Sequence, residues 1–207
     1  MINETLWLSM AAFAFVTAFT PGPNNLMLMS STILFGGKRT IPHLIGIQIG
    51  FSTLMAAAVL GLGELLELFP DAQMVVKWLG AGWLLWLGVT FLREAVRQHR
   101  SKGETQAPKA SRPFTVIEAA LFQLANPKAL VMVLSTASLY SGIAEDITLR
   151  TVIIVLTFSA VGTPSGISWM LLGRAMNRWL GDASHGRVMN IAMGVLILAL
   201  VAVILMN

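Results

Sequence analysis

The sequence predicts an all-α integral membrane protein of six transmembrane helices, arranged as two inverted three-helix repeats, with helices 1 and 4 broken by proline. Three observations carry that expectation. Of 207 residues, 56% are hydrophobic and 12% charged, against about 25% charged in an ordinary soluble domain. The apolar residues gather in continuous blocks of roughly twenty or more, the length a helix needs to cross a ~30 Å hydrocarbon core. Short alternating segments, the mark of a β-barrel, do not occur. Only the stretch 96–113, VRQHRSKGETQAPKASRP, is long and polar, and it divides the chain almost in half. The expected organisation is a single transmembrane domain, 1–207, with repeat 1 at about 1–95, a cytoplasmic linker at about 96–113 and repeat 2 at about 114–207.

The first span, near 4–35, meets no charge between Glu4 and Lys38, yet contains TPGPNN at 20–25. The N-terminus MINETLW lacks the basic start of a cleavable signal, so this block is expected to stay in the mature protein. The second span, near 41–63, carries Gln48 and Ser52 one turn apart. Its Gly46 and Gly50 form a small-xxx-small pair that would seat a neighbouring helix, of this chain or of a second copy. The third, near 72–95, includes KWLGAGWLLWLG. The fourth, near 114–139, holds LANPKAL, with Lys128 about 20 Å from the start of the span at 1.5 Å per residue. The fifth, near 149–173, contains GTPSGISW, where Pro164 reads as a packing kink. The sixth lies near 186–206.

Charge orients the spans. Lys38, Arg39, Arg93, Arg97, Arg100, Lys102, Lys109, Arg112, Arg174, Arg178 and Arg187 fall on one side, and Lys77 and Arg150 on the other. Eleven against two makes the first side cytoplasmic and both termini external. This topology, rather than nucleic-acid binding, explains the net charge of +4. Three spans per half require the halves to insert in opposite orientations. Each half opens on a span with a proline break beside carboxamides, the plan of transporters that bind substrate at the repeat interface.

A proline has no N–H and displaces the carbonyl four residues earlier. Pro21 and Pro23 would thus free the carbonyls of Thr17 and Phe19, and Pro127 that of Gln123. Unsatisfied backbone survives at membrane depth only when buried in protein or lining a wet cavity. A lysine at the bilayer centre costs from about 2.5 to more than 10 kcal/mol and faces a cavity or partner. The candidate binding residues are therefore Thr20, Pro21, Gly22, Pro23, Asn24 and Asn25 at one break, Gln123, Asn126, Pro127 and Lys128 at the other, and Gln48 between them.

Other chemistries find less support. With no cysteine, disulfides and thiolate metal sites are excluded. His43, His99 and His185 have no metal-ligand spacing and read as ordinary residues near span ends, so neither cofactor nor metal is expected. No His, Asp or Glu lies deep in a span to serve a membrane enzyme. An exporter of another small solute or of a metal cation, the latter given twelve methionines, and a non-transporting scaffold are the remaining alternatives.

These motifs in this order, TPGPNN, a G-G-x-R turn, G-x-x-x-G, KWLGAGWLLWLG and a mid-chain NPK, resemble the LysE/RhtB amino-acid exporter family over nearly the whole chain. PGPNN and GTPSGISW are most similar to its cysteine/O-acetylserine exporter branch. The resemblance implies proton-driven efflux of an amino acid or derivative across a bacterial inner membrane. On that implication the expected ligand is a small zwitterionic amino acid, its carboxylate near Lys128 and the amides after Pro23. Its ammonium would lie at the Thr17 and Phe19 carbonyls and the carboxamide oxygens of Asn24 or Asn126. Lys128 is then also the group that exchanges a proton during transport. The family's break residues match Pro21, Gly22, Pro23 and Asn24, and Asn126, Pro127 and Lys128. Around 160–165 the chain has small residues and Pro164 where many homoserine/threonine-type relatives carry an acidic group.

Overall fold

The computed structural model describes residues 2–61 and 112–180 continuously, with helical positions scattered between 78 and 96 and between 191 and 202. Most of the expected third span, linker and sixth span lie outside the described residues, as do His99 and His185.

Helix α1, Glu4–Phe19, starts where the Asn3 side chain accepts from the Leu6 amide at 3.1 Å and Glu4 faces the positive end of the helix. It stops because Thr20, ahead of a proline, is extended (φ −66°, ψ 144°). Gly22 is extended too, and α2, Pro23–Phe35, begins with a proline at its first position, where no amide partner is lost. The two axes meet at 46°. At Gly36 the chain adopts φ 81°, a left-handed conformation suited to glycine, and α3, Gly37–Val59, starts at once. Thr40 closes that corner by donating to the Gly36 carbonyl at 3.0 Å.

Past the linker, Thr115 and Glu118 form a reciprocal capping box at the start of α4, Val116–Phe122. Arg112 holds the same carboxylate with two bonds of 2.6 and 2.7 Å. A 3-10 turn, Gln123–Ala125, leads to Asn126, extended ahead of Pro127 (φ −92°, ψ 103°). Helix α5, Pro127–Leu139, then leaves at 70° to the preceding segment. A second 3-10 turn, Ser141–Ile143, precedes α6, Ile147–Leu180, whose first turn is capped by Asp146 accepting from the Leu149 amide.

All regular structure among the described residues is helical. By length and composition Gly37–Val59 and Ile147–Met176 suffice to cross a membrane, and each bent pair passes the same test as one broken span. Large apolar side chains face outward along whole helices, as at Ile41, Ile45 and Ile49 on α3 and Val152 and Leu156 on α6. Such faces suit lipid and would aggregate in water. The chain is a multi-pass membrane protein.

Two spans run beyond their expected limits. Helix α3 begins at 37 instead of 41, because Gly36 restarts the helix before the charged pair Lys38–Arg39. Helix α6 continues to 180 instead of 173 and passes through Pro164 without a break.

Helix α6 packs on α1, α2 and α3, and α3 also meets α4 and α5. The main core joins Met10 and Ala14 of α1, Met55 of α3, Val133 of α5, and Ile154 and Phe158 of α6. A polar bond ties Ser52 to Ser159 at 3.1 Å, so Ser52 serves packing between α3 and α6. Gly46 and Gly50 meet α4 of the same chain. A Cβ at Gly46 would collide with the Val116 carbonyl, and one at Gly50 would lie 2.5 Å from the Ala120 carbonyl.

Candidate functional site

The two helix breaks face each other across a cavity of about 80 Å³ formed by α1, α2, α3, α5 and α6. That volume exceeds what a single water needs several-fold. Its polar side carries Asn24, Asn25, Gln48, Asn126, Lys128 and Ser165. Its apolar side includes Phe51, Met132 and Phe158, with the two phenyl rings tilted at a centroid distance of 5.8 Å.

Of the residues expected from sequence, Gly22, Asn24, Asn25, Gln48, Asn126 and Lys128 border this cavity directly. Thr20, which is exposed, and Gln123, which is buried, are hydrogen-bond partners of these residues. Gln123 is fully buried and pairs with Asn24 through both carboxamide groups: Asn24 Nδ2 donates to Gln123 Oε1 at 2.8 Å, and Gln123 Nε2 donates to Asn24 Oδ1 at 3.2 Å. Pro21, Pro23 and Pro127 are not among the lining residues. Pro23 and Pro127 open α2 and α5, and Pro21 and Pro127 follow the extended Thr20 and Asn126.

Side chains cover the Thr17, Ala18 and Thr20 carbonyls at the end of α1. Thr20 Oγ1 donates to the Thr17 carbonyl at 2.9 Å. The Ala18 carbonyl accepts from Asn25 Nδ2 at 2.8 Å and from Ser165 Oγ at 2.7 Å. The Thr20 carbonyl accepts from Asn25 Nδ2 at 2.9 Å and from Lys128 Nζ at 2.8 Å, and Lys128 also donates to Thr20 Oγ1 at 2.9 Å. The Gln123 carbonyl takes the Asn126 amide at 3.3 Å, because the 3-10 turn brings that amide within reach.

Of the expected ammonium acceptors, the Thr17 carbonyl already takes the Thr20 hydroxyl and Asn24 Oδ1 already takes Gln123 Nε2. Of the acceptors proposed from sequence, Asn126 Oδ1 stands out: the residue is 2% exposed, and this oxygen has no partner. A buried carboxamide oxygen without a donor costs about 1–3 kcal/mol, and the residue that carries it borders the cavity.

Both helix starts at the cavity are also open. No side chain caps α2 or α5, and the first intrahelical amide bonds are those of Leu26 to the Gly22 carbonyl and Leu130 to the Asn126 carbonyl. The first-turn amides and the helix dipoles favour an anionic group there.

Sequence reasoning missed Ser165 and Gly162. Ser165 is buried on the α1 carbonyl end, and a Cβ at Gly162 would stand 3.2 Å from the Gln48 amide. With Phe158 and Gly166 they recur at helical spacing on one face of α6, a signal masked by reading Pro164 as the feature of that stretch. His43 also differs from its expected ordinary position near a span end. It is 1% exposed beside Phe114, and its Nδ1 has no partner.

The LysE type translocator family matches residues 15–207. The chain is 26% identical over 189 residues to the cysteine/O-acetylserine efflux protein of Klebsiella pneumoniae subsp. pneumoniae, covering 91% of each chain. It is 22% identical over 197 residues to the protein of that name from Escherichia coli O139:H28, covering 95% of this chain and 96% of the relative. The leucine efflux protein of Enterobacter sp. (strain 638) is 32% identical over 123 residues, 59% of this chain and 57% of the relative. No solved structure gives a significant match.

Proposed function

Because the chain belongs to the LysE-type translocator family, we propose that it exports a small amino acid or amino-acid derivative from the bacterial cytoplasm by proton-linked antiport. The observation that carries the binding site is the unpartnered, buried Asn126 oxygen beside two uncapped helix starts. One cavity thus offers an acceptor for an ammonium group and donors for a carboxylate. That is the recognition a zwitterion needs.

In this reading the carboxylate approaches the first-turn amides of α2 and α5 and the Lys128 ammonium, while the substrate ammonium approaches Asn126. The side chain points toward Phe51, Met132 and Phe158. Small uncharged side chains suit that wall, in keeping with relatives named for cysteine/O-acetylserine and leucine efflux. Lys128 is the ionisable residue among the described groups that line the cavity, and it is assigned the proton exchange. The two breaks belong to inverted repeats that rock about the site, with both termini external to the inner membrane. The paired carboxamides of Asn24 and Gln123 and the Lys128–Thr20 bonds bridge the breaks. They part when the cavity opens to one side.

Thermal unfolding of the purified protein tests the zwitterion requirement. The titrants are L-cysteine, O-acetyl-L-serine, L-leucine and L-threonine, and the analogues of each that lack the amine or the carboxylate. One amino acid is expected to raise the midpoint, and both of its truncated analogues to bind about tenfold more weakly or worse, since each loses bonds to a charged group. An analogue that binds as tightly as its parent would sink the two-ended site.

A further inference from the structure

We propose that the carbonyl end of α1 is a binding site for a primary ammonium group, occupied by Lys128 until the ammonium of the transported amino acid displaces it. The second half rests on the export reading; the site itself does not.

Lys128 belongs to α5, yet its Nζ reaches the last turn of α1 and bonds the Thr20 carbonyl at 2.8 Å and the Thr20 hydroxyl at 2.9 Å. No carboxylate lies among the described residues lining the cavity. The partner of this charge is therefore a helix C-terminus, whose dipole and carbonyl oxygens favour a cation. The break is shaped for the guest. A Cβ on Gly22 would fall 2.7 Å from Lys128 Cδ and 3.0 Å from Nζ, so any side chain there would push the lysine from its seat. Gly22 needs no unusual backbone conformation (φ −170°, ψ 173°), so clearance for Lys128 gives a separate reason for a glycine.

What the site recognises is an –NH3+ group, and an amino acid brings one too, on an α-carbon that also bears its carboxylate and side chain. An ammonium has three donors. Asn126 Oδ1 accepts one in the proposed pose, which leaves two for the oxygen pair now held by Lys128. Once displaced, the Lys128 ammonium is free to meet the substrate carboxylate. When substrate leaves, it returns to Thr20. The exchange keeps one positive charge on the end of α1 throughout the cycle.

The test uses Lys128→Ala and the wild-type protein, purified in detergent, with ethylammonium chloride as the probe. Tetramethylammonium chloride, equally charged but without N–H, is the control. Ethylammonium is expected to raise the unfolding midpoint of Lys128→Ala saturably, with no such rise in the wild type, whose site is filled from within. Tetramethylammonium should move neither. An equal response in both proteins, or none in the variant, overturns the proposal. If the variant does not survive extraction, the yield of monodisperse protein with and without ethylammonium becomes the readout. Rescue by the amine supports the site, and equal yields overturn it. No transport enters this measurement. A variant that binds ethylammonium while the wild type moves no amino acid would keep the site and remove the export reading.

Discussion

Lys128→Ala is expected to abolish efflux while leaving the protein folded. The ammonium makes two bonds to Thr20, and bonds to charged groups contribute about 1.5–3 kcal/mol each. In the proposed cycle the displaced ammonium meets the substrate carboxylate, and losing that charged partner together with the proton exchange lowers transport on the order of a hundredfold or more. The fold survives because the Thr20 carbonyl keeps its bond from Asn25 Nδ2 and the Thr20 hydroxyl keeps its bond to the Thr17 carbonyl. Removing the lysine also removes a half-buried charge. Efflux from loaded vesicles, read beside the unfolding midpoint, checks this. Full transport in the variant would exclude Lys128 from the cycle.

Asn126→Leu gives the second large effect, and its two readouts move in opposite directions. The side chain is buried with its oxygen unpartnered, so an apolar residue of similar shape relieves a penalty of about 1–3 kcal/mol in the ligand-free protein. The backbone contacts of Asn126, to the Gln123 carbonyl and from the Leu130 amide, do not depend on the side chain. The midpoint therefore rises. Substrate affinity falls about ten- to a hundredfold, because its ammonium then meets methyl groups in a site with little water. A variant that is destabilised and still binds normally would mean that Asn126 holds the fold rather than the ligand.

The parts of this site that a reader finds in the sequence are those that break a rule of membrane helices. Proline, paired carboxamides and a lysine inside an apolar block each cost energy at depth, so TPGPNN and NPK stand out without any structure. The spans that become α3 and α6 were legible from the length of their apolar blocks. The partners of each polar group were not. Nothing local tells that Asn25 covers two carbonyls of α1, that Gln123 pairs with Asn24, or that Ser165 reaches Ala18 across 147 positions. Those choices depend on how helices pack. That Thr20 turns back to donate to the Thr17 carbonyl is another such choice. Gly46 and Gly50 announced a close neighbour without naming α4. His43 offered no signal at all, since its burial comes from Phe114, far away in the chain. Helix ends were missed where charged residues continue a helix past its apolar window, at Lys38–Arg39 and at Arg174.

Proton-linked export of an amino acid is tested most directly by efflux from proteoliposomes. They would be loaded in turn with cysteine, O-acetylserine, threonine, homoserine, leucine and lysine, with and without an imposed pH gradient. The expected result is efflux of one chemical class, accelerated by the gradient and lost in Lys128→Ala. A well-folded preparation that moves none of these amino acids contradicts the export assignment, and efflux indifferent to the gradient contradicts proton coupling.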